Sequence, residues 1–224
     1  MPAWRETMTI SNLNQMKIEE ASFVILDFET VTPKGRPPEP IELAAMRVNS
    51  GLRVDSQFRI DWLIKPPEGA PITPFDTAQT GIRWEDVRDA PLAATVLEQF
   101  EALLRDNEYV LVAQNARYEY AVIRRFSNEC PLVASMPFID IIALAKHLVP
   151  GLPNYKLDTL ANQFLVTIPI QRHRALPDVE MTVQVFLRLL ELGQTSKGII
   201  RVIDLRRIAG IKMETAEPIQ KSLF

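Results

Sequence analysis

Residues 23–26, Phe-Val-Ile-Leu, are apolar at every position and run straight into Asp-Phe-Glu-Thr at 27–30. A strand that is apolar on both alternating faces has to be covered on both sides, which places it at the centre of a sheet between layers of helices. Side chains two apart on a strand share a face, so Asp27 and Glu29 project together while Leu26 and Phe28 point the other way. Two carboxylates held this close repel each other, and a bound cation relieves the repulsion. Taken alone, an Asp-x-Glu tripeptide is more often a solvated strand end. The pair gains meaning only from what else the chain delivers to it.

The segments "IELAAMRV" (41–48) and "QFRIDWLI" (57–64) read as neighbouring strands, and the turn "TPKGRPPEP" between the first two continues neither, so a three-strand meander is expected. After a proline-rich loop, the spacing predicts a helix from about Pro91 to Arg105 with Leu92, Val96, Phe100 and Leu103 inward. "YVLVA" (109–113) is a fourth buried strand, followed by a helix carrying Tyr118, Val122 and Phe126. "IALAKHLV" and "KLDTLANQF" read as helices, and a last helix is expected to begin at Pro177 and run to Leu192 with Val179, Val183, Phe186 and Leu190 inward. Past Gly193, six Lys and Arg stand against three acids. The expected organisation is therefore an N-terminal extension over 1–20, one domain over 21–193 and a basic tail over 194–224.

With 224 residues, 47% of them hydrophobic, one substantial α/β core can be buried. The single cysteine, Cys130, allows no internal disulfide and reads as a half-buried thiol without chemistry in a reducing compartment. The first residues lack the pattern of a signal peptide and no run has the length of a membrane span, so a cytoplasmic protein with no membrane partner is expected. The net charge of −3 shows no bulk basic signature of a nucleic-acid binder, although an acidic site that recruits divalent cations supplies positive charge locally.

Two further blocks can meet the Asp27/Glu29 pair. "AQNARYEYAVI" (113–123) sits at a strand-to-helix junction, and such junctions line the crevice at the carboxyl edge of an α/β sheet. Glu119 falls in the first helical turn, where the helix dipole favours negative charge; its plain alternative role is to stabilise that end. "HRALPDVEMTVQVF" (173–186) places Asp178 in the first turn of the last helix and His173 on the loop before it. Asp178 can face the sheet edge as a metal ligand, and His173 can meet a water or be a solvated loop residue. The second histidine, His147, beside Lys146 in a helix, reads as a surface residue.

"DFET", "QNARYE" and "HRALPD" together resemble the three motifs of the DEDD exonuclease superfamily in its histidine-bearing (DEDDh) branch, which includes proofreading subunits of bacterial DNA polymerase. "TGI" at 80–82, Asp140 and "LPGLPNYKLDTLA" add to the likeness, which spans residues 23–192. The resemblance implies a ribonuclease H-like α/β fold with a five-stranded mixed sheet flanked by helices. It also implies 3'-5' release of single nucleotides with two Mg2+ or Mn2+ ions, chemistry that suits a carboxylate cluster. On this likeness Asp27, Glu29, Glu119 and Asp178 are the metal-holding acids and His173 is the general base, its ordinary pKa lying near neutrality. Phe28, Thr30, Ile82, Asn115 and Tyr118 correspond to positions near the terminal nucleotide. Arg117, Arg124, Arg125, Arg172 and Arg174 are candidates for phosphates or simple surface charges.

One departure stands out. Most members carry His-Asn-Ala-x-Phe-Asp where this chain has Gln114-Asn115-Ala116-Arg117-Tyr118-Glu119. Glutamate keeps the charge but adds a methylene and a rotor; Mg2+ is strict about octahedral geometry, so a preference for Mn2+ is expected. The C-terminal "QKSLF" resembles short peptides that dock replication proteins on the sliding clamp, with Gln220, Leu223 and Phe224 as contacts; an apolar tail packed on the domain is the alternative. The expected substrate is the 3' end of single-stranded DNA, with a DNA polymerase as a further partner. RNA 3'-end trimming, or nucleic-acid binding without catalysis, remains the alternative.

Overall fold

The computed structural model describes residues 10–169 and 174–211. Five strands form one sheet in the order β3-β2-β1-β4-β5: β1 Phe23–Val31, β2 Glu39–Asn49, β3 Arg53–Leu63, β4 Val110–Ala113 and β5 Phe138–Asp140. The first three pair antiparallel as the expected meander, and β4 and β5 add in parallel to β1, so the sheet is mixed. The helices are α1 Ile10–Gln15, α2 Pro74–Thr80, α3 Trp84–Val87, α4 Ala93–Leu104, α5 Ala116–Arg125, α6 Pro131–Ser135, α7 Ile141–Leu148, α8 Leu157–Gln163, α9 Ala175–Lys197 and α10 Val202–Ala209. Among the described residues no helix is long and apolar enough to cross a membrane.

The alternation along β1 splits the core in two. Phe23 and Ile25 face α7, α8 and α9, where Phe23 meets Phe186 edge-on at a ring separation of 5.1 Å. Val24, Leu26 and Phe28 face α4, α5 and α6 on the opposite side. Burying a side chain such as Phe23 contributes about 1.5–3 kcal/mol, so each face of the one strand anchors its own helical layer. Asp27 and Glu29 continue the Phe23/Ile25 row and therefore emerge on the side covered by α9. The β1–β2 register shifts between Glu29 and Thr30. This bulge re-aims the strand end and lets Pro40, which has no N–H to donate, sit opposite Thr30.

Several boundaries differ from the sequence reading. The inward face of α4 is Val96, Leu97, Phe100 and Leu104, while Leu92 and Leu103 are exposed. Helix α9 starts at Ala175, two residues before Pro177; proline is tolerated there because first-turn N–H groups have no intrahelical partner. It also runs on through Gly193 to Lys197 and ends at Gly198, whose positive φ of 63° suits glycine.

Residues 199–211, expected to belong to a basic tail, are part of the body. Ile199, Val202, Leu205 and Ala209 enter the same core as Leu13 and Ile18 from the expected N-terminal extension. The Ile18 N–H donates to the Ile200 carbonyl at 2.8 Å and the Ile211 N–H to the Phe138 carbonyl at 3.1 Å, so both termini of the described chain are stitched onto the domain. Of the basic residues on α10, Arg207 is exposed, whereas Arg206 is half-buried and its guanidinium donates to the Asn14 side chain on α1.

Candidate active site

The bulged end of β1, the start of α5, the end of β5 and the first turn of α9 converge at the carboxyl edge of β1 and β4. Asp27, Glu29 and Asp178 each offer a carboxylate oxygen to a group in which all such atoms lie within 4.8 Å of one another. Burial, then the charges of Glu119, Glu29, Asp178 and Glu42, hold the Asp27 carboxyl well above the usual carboxylate range. Glu119 is 4% exposed, and burial followed by the charges of Asp140 and Glu29 pushes its pKa up to about 8. Among the described residues its buried Oε2 has no hydrogen-bond partner.

These features fit divalent cations. Three converging carboxylates and a fourth with a buried oxygen left without a partner among the described residues form an all-oxygen donor set of the kind hard cations take, and cation charge offsets the burial and the repulsion that raise these pKa values. Asp27, Glu29 and Asp178 are the residues that would hold one ion. Glu119 stands outside that tight group but within electrostatic reach of Asp27 and Glu29, the place from which it would serve a second. Asp140 ends β5 and caps α7, its Oδ1 accepting from the Ala143 N–H at 2.7 Å.

The other expected site residues divide. Tyr118 is half-buried and its hydroxyl bonds the Thr30 hydroxyl at 2.5 Å, so the two border the site as a tethered pair. Asn115 is exposed at the N-cap of α5 and lines, with Arg117, Asp140 and Lys146, a cleft of 410 Å³. Phe28 is 5% exposed and packs in the core on the face opposite the acids. Ile82, 1% exposed, likewise belongs to a small core with Val31, Ile41, Ala70 and Val87. His173, Arg172 and the clamp-motif residues Gln220, Leu223 and Phe224 lie outside the described residues.

Two candidate phosphate contacts are engaged elsewhere. Arg125 bonds Glu39 at 2.7 Å and the Pro38 carbonyl, and Arg174 bonds Glu42. His147 is exposed, as expected. Cys130 is wholly buried rather than half-buried, and burial pushes its thiol up to about 12, which removes thiolate reactivity. Gln114, standing where most DEDDh members have histidine, donates from Nε2 to the Tyr155 carbonyl at 2.8 Å and ties the site to the "GLPNYK" loop. The sequence reading missed Glu42, a fully buried carboxylate directly across from Glu29. Its signal was present: a glutamate between Ile41 and Leu43 in a strand covered on both faces must have a dedicated partner.

The sheet order and the acid cluster at its carboxyl edge define a ribonuclease H-like nuclease fold. The model of the exonuclease (RNase_T) family matches residues 24–186, and the chain belongs to that family. It is 32% identical over 202 residues to a DNA polymerase III PolC-type protein of Caldanaerobacter subterraneus subsp. tengcongensis, covering 90% of this chain and 14% of that protein. It is 33% identical over 183 residues to a DNA polymerase III subunit epsilon-like protein of Rhodobacter capsulatus, covering 80% of this chain and 25% of that protein. The chain thus spans only a minor part of the curated relatives' length. Among solved structures, the nuclease domain of 3'hExo, a DEDDh family member bound to rAMP, superposes with a TM-score of 0.67 at 17% identity, covering 80% of this chain and 96% of that one. Exonuclease I of E. coli in complex with a dT13 oligonucleotide gives 0.64 at 19% identity, with 80% and 42% covered.

Proposed function

We propose that this chain is a metal-dependent 3'-5' exonuclease that releases nucleoside monophosphates from single-stranded DNA ends, acting in proofreading or repair beside a DNA polymerase. The observation that carries the reading is the convergence of Asp27, Glu29 and Asp178, beside a buried Glu119 oxygen that has no hydrogen-bond partner among the described residues. Asp27, Glu29, Glu119 and Asp178 would hold two Mg2+ or Mn2+ ions, which when bound would lower the pKa of the attacking water and offset charge on the leaving oxygen. The chain's part is to hold the four carboxylates ionised around them and to take the water's proton at His173. Asn115 and the Thr30–Tyr118 pair border the terminal nucleotide, and Arg117 and Lys146 face the cleft beside it. The polymerase III names of the relatives support a DNA substrate and a polymerase partner. The longer Glu119 supports a preference for Mn2+ over Mg2+, because Mg2+ tolerates less departure from ideal geometry.

A second reading, RNA 3'-end trimming, is favoured by the structural neighbour bound to rAMP. Release of mononucleotides from 5'-labelled single-stranded DNA and RNA of one sequence, in Mg2+, Mn2+ or EDTA, separates the two. Stepwise shortening of the DNA that needs metal and disappears in Asp27→Ala is the expected result. Rapid loss of RNA with DNA untouched would move the substrate to RNA. Binding without cleavage under either metal would leave a nucleic-acid-binding relative that has lost catalysis.

A further inference from the structure

Glu42 lies in the middle of β2, paired across the sheet with Glu29, and is 0% exposed. A carboxylate buried this deeply is strongly destabilising unless both oxygens are bonded. Its Oε1 accepts from Arg174 Nε at 2.9 Å and from a second guanidinium nitrogen, and its Oε2 accepts from the Ala175 N–H at 2.8 Å. Ala175 is the first residue of α9, and Arg174, at the N-cap, makes no capping bond with its own side chain. Glu42 therefore does from a neighbouring strand what an N-cap side chain ordinarily does locally: it accepts from a first-turn N–H and places negative charge at the positive end of the helix.

The turn so held is the one that carries Asp178, whose N–H donates to the Arg174 carbonyl at 3.3 Å. The strand that holds it is the one whose backbone pairs with β1 at Asp27 and Glu29. We propose that Glu42 is a positioning residue: through the Arg174 guanidinium and the Ala175 N–H it fixes the first turn of α9, and so Asp178, against the two acids of β1. The proposal rests on the reading that these acids hold divalent cations. A displacement of about 1 Å in such a cluster can lower a rate by as much as about a hundredfold.

The same strand supplies an internal comparison. Glu39, also buried, bonds Arg125 at the last position of α5, six residues beyond Glu119, so that pair ties the far end of its helix rather than the turn bearing an acid. If Glu42 merely stabilises the fold, the two glutamates should behave alike.

The test titrates Mn2+ against wild type, Glu42→Gln, Arg174→Lys and Glu39→Gln and reads the concentration giving half-maximal thermal stabilisation, a readout that needs no substrate. Values of kcat and KM on a 5'-labelled oligonucleotide follow, at a temperature where circular dichroism shows each variant folded. For Glu42→Gln and Arg174→Lys the Mn2+ midpoint should rise at least about tenfold and kcat fall at least about tenfold, with KM within about threefold. Glu39→Gln should lower Tm but leave the midpoint within about twofold. An unchanged midpoint and kcat in Glu42→Gln, or an equal shift in Glu39→Gln, would overturn the proposal. Should Glu42→Gln fail to fold, Arg174→Lys carries the test, since Arg174 is only partly buried. Wild type that binds Mn2+ but releases no nucleotide would sink the exonuclease reading and leave the midpoint comparison standing.

Discussion

The Glu119 carboxyl is buried, faces the charges of Asp140 and Glu29, and keeps its proton up to about pH 8 in the metal-free chain. In the unfolded chain a glutamate titrates near about 4.3. A folded-state pKa above the unfolded one gives a contribution to stability that is full below the unfolded value and lost as pH rises through the folded value. Between about pH 5 and 9 the metal-free protein should therefore lose stability with rising pH, Asp27 adding to the loss because burial and the same acids raise it too. We expect Tm in EDTA to fall by roughly 3 °C or more from pH 6 to pH 9, and the fall to be shallower in Mn2+. Glu119→Gln, which keeps the shape and removes the titration, should flatten the EDTA profile and cost nuclease activity in the same molecule. A profile as steep in Glu119→Gln as in wild type would place the pH dependence on other groups. That a glutamate stands at this position could be read from the chain; that one of its oxygens would be buried without a partner could not, because that depends on how α5 meets β5 and β1.

At the scale of elements, α4 separates what periodicity can and cannot tell. A heptad-like reading chose Leu103 for the core, whereas the structure buries Leu104 completely and leaves Leu103 at 47% exposure. Leu104→Ala should cost about 2–5 kcal/mol and Leu103→Ala within about 0.5 kcal/mol, measured by urea denaturation; equal costs would mean that the helix is rotated. The strands were the more legible elements because β1, β2 and β4 are covered on both faces and write continuous apolar runs into the sequence. The end of the domain was less legible. Charged residues at 201, 206 and 207 suggested a solvated tail, yet Val202, Leu205 and Ala209 bury one face of α10. Leu205→Ala should consequently destabilise the whole domain by about 2–5 kcal/mol in the same experiment, whereas a detached tail would leave the transition unmoved. The site followed the same division: Asp27, Glu29 and Asp178 were visible as motif acids, while Glu42 between Ile41 and Leu43 signalled a buried partner without naming Arg174, 132 residues away.

Across the whole molecule, the proposed exonuclease role has to be reconciled with a net charge of −3. Four arginines pair with carboxylates, Arg47 with Asp55, Arg59 with Glu180, Arg125 with Glu39 and Arg174 with Glu42, and the last two were candidates for phosphates. The Arg47 guanidinium beside Asp55 is close enough to hold that carboxyl down at about 2, so the pair persists at any working pH. On the proposed reading, attraction for a strand comes largely from cations held by the acid cluster, with Arg117 and Lys146 contributing in the cleft. If those two side chains were the sole protein charges neutralising phosphates, log affinity against log salt would slope at about −1.4. The measurement uses His173→Ala, which keeps the four carboxylates, and follows anisotropy of a labelled single-stranded oligonucleotide from 50 to about 200 mM salt in Mn2+ and in EDTA. We expect a slope shallower than about −2 and at least about tenfold weaker binding in EDTA. Affinity indifferent to EDTA, or a slope several times steeper, would show that the protein meets its substrate through basic surface rather than through the ions, and the role of the acid cluster in holding the strand would have to be abandoned.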